Sequence, residues 1–184
     1  SKTIKELRDN GVNYEDMAIL YRTNAQSRLI EEEMLKNGIP YKIIGSFYFY
    51  NRKEIKDLLC YLRLINNQDD DVSLLRVINT PKRGIGDKTL ENLGNIANIN
   101  GTSLFDAIDS GKELKFKELI LSMRDKCENV TLTDMVDIVL NDSGLKEELV
   151  AEKSLESEIR LENLEEFKSI TKSYEEEYGV ISLT

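Results

Sequence analysis

The chain has 184 residues, with 25 Lys and Arg against 34 Asp and Glu, a formal charge of −9, two cysteines and no histidine. Zinc centres and histidine-based acid/base catalysis are thereby almost excluded, and Cys60 and Cys127 make no metal spacing; they read as reduced, packed thiols, and no metal site is expected. No apolar run approaches the length that spans a bilayer and the start, SKTIKELRDNG, is charged and helical, so the expectation is a cytoplasmic protein without a membrane partner.

After the stop DNG, the apolar run MAIL predicts a short strand over 17–21, of the kind covered on both faces in a parallel sheet. Asn24 then caps a helix running to about Asn37, which Gly38 ends and Pro40 prevents from resuming. YKIIG predicts a second strand over 41–45. Strand, helix and strand with tight connections make a βαβ unit, yet two strands are too few for a stable sheet. Residues 1–45 are therefore expected to be part of a larger α/β domain.

From Asn51 the hydrophobic period changes to that of a helix, with Ile55, Leu58, Leu59, Leu62 and Ile65 on one face and Asn51 and Glu54 at capping-box spacing. DDDVSLLRVIN predicts a short helix capped by aspartates. Further helices are expected over roughly 87–99, 102–110, 112–127, 132–141, 144–152 and 155–178, the last with Leu164, Phe167, Thr171, Tyr174 and Tyr178 forming a packing seam.

Two stretches carry candidate chemistry. In YRTN, Tyr21 offers a flat face for a base and Arg22 a planar fork for phosphate, at a strand end where open α/β sheets place ligands. The alternative is a packed tyrosine beside an arginine paired with Glu31, Glu32 or Glu33. In NTPKRGIGDKTLENLG, Gly86, Lys88 and Thr89 approach the ending of a phosphate-binding loop, but Asp87 separates glycine from lysine and no strand precedes, so that match fails.

The second stretch fits a hairpin between helices. Gly84 and Gly86 flank the apolar Ile85, Lys82, Arg83 and Lys88 surround them, and the following helix start adds its dipole, so the turn suits one DNA phosphate. A plain helix connection with basic neighbours is the alternative. The overall acidity does not exclude DNA. Lys and Arg balance Asp and Glu at seven each in residues 1–45, stand at eight against seven in 46–100, and at ten against twenty in 101–184.

Taken together, ILYRTNAQSRLIEE, PYKIIGSFYFYNRKEIKDLLCYLRLINNQDDDVSLLRVINTPKRGIGDKTL and RLENLEEF resemble successive blocks of the UvrD/Rep/PcrA family of superfamily I DNA helicases. The resemblance implies a fragment of an ATP-driven helicase of 3′ to 5′ polarity acting in DNA repair or replication. Residues 1–68 correspond to part of the second RecA-like lobe with a connecting helix, and residues 69–184 to the helical accessory insertion, 2B. It implies that Tyr21 stacks on adenine, that Arg22 is the catalytic contact to the γ-phosphate, and that Asn24 and Arg28 are structural. ATP and Mg2+ belong to the parent enzyme; the fragment has no GxxxxGK[ST] loop and is expected to bind neither stably and to be inactive alone.

Its partners are then DNA, as duplex or single/double-strand junction, and the remaining lobes of the same helicase. The DNA-contacting set is Lys82, Arg83, Gly84, Ile85, Gly86, Lys88 and Thr89, with Arg52 and the aromatics Phe47, Tyr48 and Phe49 near the DNA path. Ser46 after Gly45 departs from the family's usual paired glycine. Without the resemblance, the readings are a non-enzymatic helix-hairpin-helix DNA module or a helical protein-interaction domain with an acidic surface.

Overall fold

A computed structural model of the chain describes residues 2–21, 24–43 and 49–179, with 24–26 and 28 described in their backbone alone. It divides into two compact units, Ser1–Phe47 and Tyr48–Thr184.

The first unit holds α1 (Lys2–Asp9), a 3-10 turn (Tyr14–Asp16) and α2 (Asn24–Lys36). Arg8 Nη1 donates to Asn13 Oδ1 at 2.7 Å and its guanidinium lies 5.2 Å from the centre of the Tyr14 ring, so one side chain ties the end of α1 to the turn after it. Gly38 stops α2 as its sequence position implies. At φ +63° it lets the Ile39 amide reach back to the Met34 carbonyl (2.9 Å) and its own amide to Leu35 (3.1 Å), while Met34 and Ile39 are both buried.

The expected α/β start is not found. Among the described residues there is no strand, and no backbone hydrogen bond joins 17–21 to 41–43; residues 44 and 45 lie outside the described set. Met17 has extended dihedrals (φ −105°, ψ 138°), but an extended backbone becomes a strand only when a neighbour fills its ladder. The apolar pattern that reads as strand survives as surface: Leu20 is 95% exposed and Ile19 44%.

The second unit begins with a 3-10 turn (Phe49–Asn51) and runs through α3 (Lys53–Asn66), α4 (Asp71–Val77), α5 (Asp87–Asn100), α6 (Leu104–Ala107), α7 (Gly111–Lys126), α8 (Leu132–Asp142), α9 (Leu145–Glu152) and α10 (Leu155–Tyr178). Among the described residues every regular element of this unit is helical, close to the bounds the periodicity implies. The centre is α3, against which α4, α7, α8 and α10 pack. Ile55, Leu58, Tyr61, Leu62, Leu64 and Ile65 are buried at its three- and four-residue spacing, each full burial of such a side chain contributing about 1.5–3 kcal/mol. Among the described residues no helix is long and apolar enough to cross a membrane. By packing, α3, the connecting helix of the expected 1–68 part, lies within the helical compact unit.

Caps and ion pairs fix the ends. Asp70 caps α4, accepting from the Ser73 amide (3.0 Å) and hydroxyl (2.6 Å). The capping box of Asn51 and Glu54 does not form, since Asn51 belongs to the preceding turn and Arg52 occupies the cap position. Glu54 instead accepts from Asn163 Nδ2 on α10 (2.5 Å), a partner 109 positions away that no local pattern reveals. Arg76 on α4 closes a 2.8 Å ion pair on the nearly buried Asp57. On α10 the seam buries Leu164, Phe167 and Thr171, but Tyr174 and Tyr178 are exposed, their rings in tilted contact at 4.6 Å between centres. Below them Glu175 accepts from the Thr133 amide (2.8 Å) and hydroxyl (3.0 Å), so a carboxylate of α10 sits at the N-terminus of α8, where its charge suits the helix dipole.

Candidate nucleic-acid interface

The turn between α4 and α5, residues 78–86, is built around Asn79. Its Oδ1 accepts from the amides of Arg83 (2.7 Å) and Ile85 (3.3 Å), replacing with one side chain the backbone pairing that a turn cannot provide. Ile85 is 2% exposed and pins the tip to the core, so the apolar residue between the glycines anchors the turn and faces away from any ligand. Gly84 sits at φ +72°, where a side chain is strained, and its carbonyl accepts from Lys112 Nζ of α7 at 3.4 Å. Gly86 is different: φ −102° and ψ 173° suit any residue, and a Cβ there would meet open space.

Gly86 is the N-cap of the 14-residue α5, and no side chain caps that helix start. Its first-turn amides are thus left without the usual serine or aspartate oxygen. Thr89 is half-buried and its amide returns to the Gly86 carbonyl at 3.0 Å. Lys82, Gly84, Gly86 and Lys88 are exposed, as is Lys112, which sequence separation of 28 positions hid from local reading. Asp87, also exposed, sits in the first turn of α5 and offsets one of the three lysine charges. Lys82, Lys88 and Lys112 against Asp87 leave the exposed tip positive, which suits a phosphate as oxygen acceptor and anion, while Asp109 and Glu113 line a small cleft beside Thr89.

Arg83 is half-buried and turned inward. Its Nη1 donates to the carbonyls of Val77 (3.2 Å), Ile78 (3.4 Å) and Pro81 (3.1 Å), and its Nη2 to the Tyr61 hydroxyl (2.7 Å) and the Ser143 carbonyl (2.9 Å). The guanidinium also lies 5.3 Å from the centre of the Phe116 ring. Arg52 is held elsewhere: Nη1 donates to Asn163 Oδ1 on α10 (2.6 Å) and the group rests over Phe49 at 5.1 Å, while Phe49 stacks on Phe167. The turn therefore gathers Lys82, Gly84, Gly86, Lys88 and Thr89, with Lys112 added, and it places Ile85 and the Arg83 side chain beneath them. Phe47 and Tyr48 lie outside the described residues.

In the first unit, Tyr21 is half-buried and borders an open groove with Ile19, Ile30, Met34 and Ile39. Arg22 lies outside the described residues, as do the side chains of Asn24 and Arg28. Among the described residues no group of three His, Cys, Asp or Glu side chains is placed to hold a metal ion, and both thiols are buried, with burial pushing that of Cys127 up.

Comparison with known proteins bears on this geometry. The model of the UvrD-like helicase C-terminal domain matches residues 1–182. The chain is 49% identical over 178 residues to the ATP-dependent DNA helicase PcrA of Staphylococcus aureus, covering 91% of this chain and 24% of that protein. Against the same helicase of Bacillus subtilis the identity is 48% over 172 residues (88% and 23%), and against that of Staphylococcus epidermidis 47% over 186 residues (95% and 26%). The chain thus spans about a quarter of the length of the curated relatives it matches.

Proposed function

The chain belongs to the family of UvrD-like helicase C-terminal domains, and from that premise we propose that it is a piece of an ATP-dependent DNA helicase of 3′ to 5′ polarity, serving DNA repair or replication. In this reading residues 1–68 belong to the second motor lobe and 69–184 to the accessory insertion. The piece has two tasks, one toward the nucleotide and one toward duplex or junction DNA.

The DNA task rests on one observation above the others: the uncapped start of α5 at Gly86, ringed by Lys82, Lys88 and Lys112. One backbone phosphate set against the amides after Gly86 would take the place of the missing cap, and the lysines would supply salt-sensitive attraction. Contacts of this kind carry no sequence information, which suits a protein that travels along DNA. Residues 101–184, with ten basic against twenty acidic side chains, repel the remaining backbone and keep the affinity low.

The nucleotide task falls to Tyr21 and Arg22, an aromatic face for adenine and a fixed charge for the γ-phosphate. In the parent enzyme ATP supplies the phosphoryl group whose transfer powers movement. Tyr21 borders a groove open on one side, which suits a contact that contributes one wall of a nucleotide site. Exposed Ile19 and Leu20 mark the surface that the rest of the parent polypeptide would cover.

Fluorescence anisotropy of a labelled duplex, titrated with the 184-residue chain at several salt concentrations, tests the DNA task. The expected affinity is micromolar or weaker. Replacing Lys82 and Lys88 by Ala should reduce the slope of log K against log salt by about one to two, one released counterion per lost contact. An unchanged slope and affinity in the folded double variant would remove the turn from the DNA interface.

A further inference from the structure

Five hydrogen bonds from one arginine to neutral oxygens raise the question of what balances its charge. Among the described residues Arg83 takes part in no ion pair with a carboxylate. Three of the five acceptors are carbonyls at helix C-termini, and the other two are the Pro81 carbonyl and the Tyr61 hydroxyl. Val77 is the last residue of α4 and Ile78 its C-cap, while Ser143 is the C-cap of α8. A helix C-terminus presents unpaired carbonyls and about half a negative charge, so two of them together balance about one guanidinium. Arg83 is the common cap of two helices.

The same residue governs the turn from both sides. Its backbone amide is held by Asn79 and its side chain by α4, α8 and the Tyr61 hydroxyl of α3, while Pro81 packs 3.6 Å from the position of a Gly144 Cβ at the α8–α9 junction. A bidentate grip on phosphate needs two N–H groups side by side on one edge of the fork. Both terminal nitrogens are already engaged inside the protein.

We propose that Arg83 is a positioning residue of the DNA-binding turn: by clamping the C-terminal ends of α4 and α8 to Tyr61 it presents Lys82, Lys88 and the amides after Gly86 to a phosphate without touching it. This rests on the reading that the turn binds phosphate. The clamp also screens two negative helix ends that would otherwise lie beneath that phosphate. Lysine cannot replace it, because a single ammonium cannot reach carbonyls on both helices and the tyrosine hydroxyl at once.

The test uses the 184-residue chain with Arg83→Lys, Tyr61→Phe and Lys82→Ala, reading duplex affinity, its salt slope and amide hydrogen exchange in the turn. Arg83→Lys keeps the charge and should still lose about fivefold or more in affinity, with the Arg83-position and Ile85 amides exchanging about tenfold faster. Tyr61→Phe carries the argument independently, since Tyr61 is fully buried and beyond the reach of DNA. It should shift affinity and turn exchange in the same directions by a smaller factor. Lys82→Ala should lower the salt slope by about one with turn exchange unchanged. If Arg83→Lys and Tyr61→Phe both match the wild type while Lys82→Ala weakens binding, the clamp is overturned and the phosphate reading stands. If Tyr61→Phe matches the wild type and Arg83→Lys alone loses affinity with unchanged exchange, Arg83 touches DNA directly and the proposal fails. If Lys82→Ala, alone and with Lys88→Ala, leaves affinity and slope unchanged, the phosphate reading falls and the proposal with it.

Discussion

The hydroxyl of Tyr61 accepts a hydrogen bond from Arg83 Nη2 at 2.7 Å while donating its own proton to the Thr80 carbonyl at 2.7 Å. Ionisation would take away that donated bond inside a buried site, and burial pushes the phenol up to about 12 against the opposing pull of the Arg83 charge. A raised folded-state value means the folded protein holds this proton more tightly than the unfolded chain does. The contribution is therefore complete below about pH 10 and is lost as pH climbs toward about 12. Denaturant unfolding of the wild type should weaken across that window, and Tyr61→Phe should remove this share of the decline while costing about 1–3 kcal/mol at neutral pH for the polar partners left behind. Parallel pH profiles for the two proteins would contradict the assignment.

The buried Asp57 and its partner Arg76 give a prediction of opposite use. Burial raises the Asp57 carboxyl above its ordinary range, and Arg76 followed by Lys53 pulls it back. A raised carboxyl contributes stability that is present below its unfolded value and lost as pH rises through the folded one, so the ionised form at neutral pH depends on Arg76. Arg76→Met should destabilise by about 2–4 kcal/mol at pH 7, much of it recovered near pH 4, and Asp57→Asn by less. Chemical denaturation at the two pH values reads this directly; an Arg76→Met penalty independent of pH would rule it out.

The two glycines of the turn should separate in their effects. Gly84→Ala puts a Cβ at φ +72° and 2.6 Å from Lys112 Nζ; the lysine can swing away but the backbone strain stays, about 1–2 kcal/mol. Gly86→Ser meets open space and gives α5 the cap it lacks. It should stabilise the chain by about 0.5–1 kcal/mol and at the same time weaken duplex binding, because the serine oxygen competes with phosphate for the same amides. Tighter binding in Gly86→Ser would sink the idea that those amides take a phosphate.

For the nucleotide task, Arg22→Ala in the complete helicase should lower kcat by about a hundredfold or more with nucleotide affinity less affected, the signature of a contact made mainly in the transition state. Steady-state ATPase measurements with DNA present decide it, and near-normal turnover would withdraw Arg22 from the site.

Much of the helix content was legible because its causes are local. Asp70 three residues before Ser73, Gly38 after Lys36, and the three- and four-residue spacing of Ile55, Leu58, Leu62 and Ile65 each act within a turn or two of helix. What failed depended on partners distant in sequence. MAIL and YKIIG have the composition of strands but find no ladder within the described residues, Glu54 leaves its capping box for Asn163, and Arg83 looked like a surface cation because Ser143 and Phe116 are nowhere near it in sequence. The exposed cluster was partly visible: Lys82 and Lys88 stand in the motif, whereas Lys112 arrives from another helix.

The carboxylate of Glu175 at the start of α8 limits where this polypeptide can be trimmed. Exposure alone marks the last residues of α10 as dispensable, with Tyr174 and Tyr178 both in solvent. Yet a chain shortened to end at Lys172 would discard the acceptor of the Thr133 amide and hydroxyl, fraying the entry to α8. Because Ser143 at the far end of α8 is an Arg83 acceptor, a stop codon near the end of α10 would act at one end of a rod whose other end supports the turn.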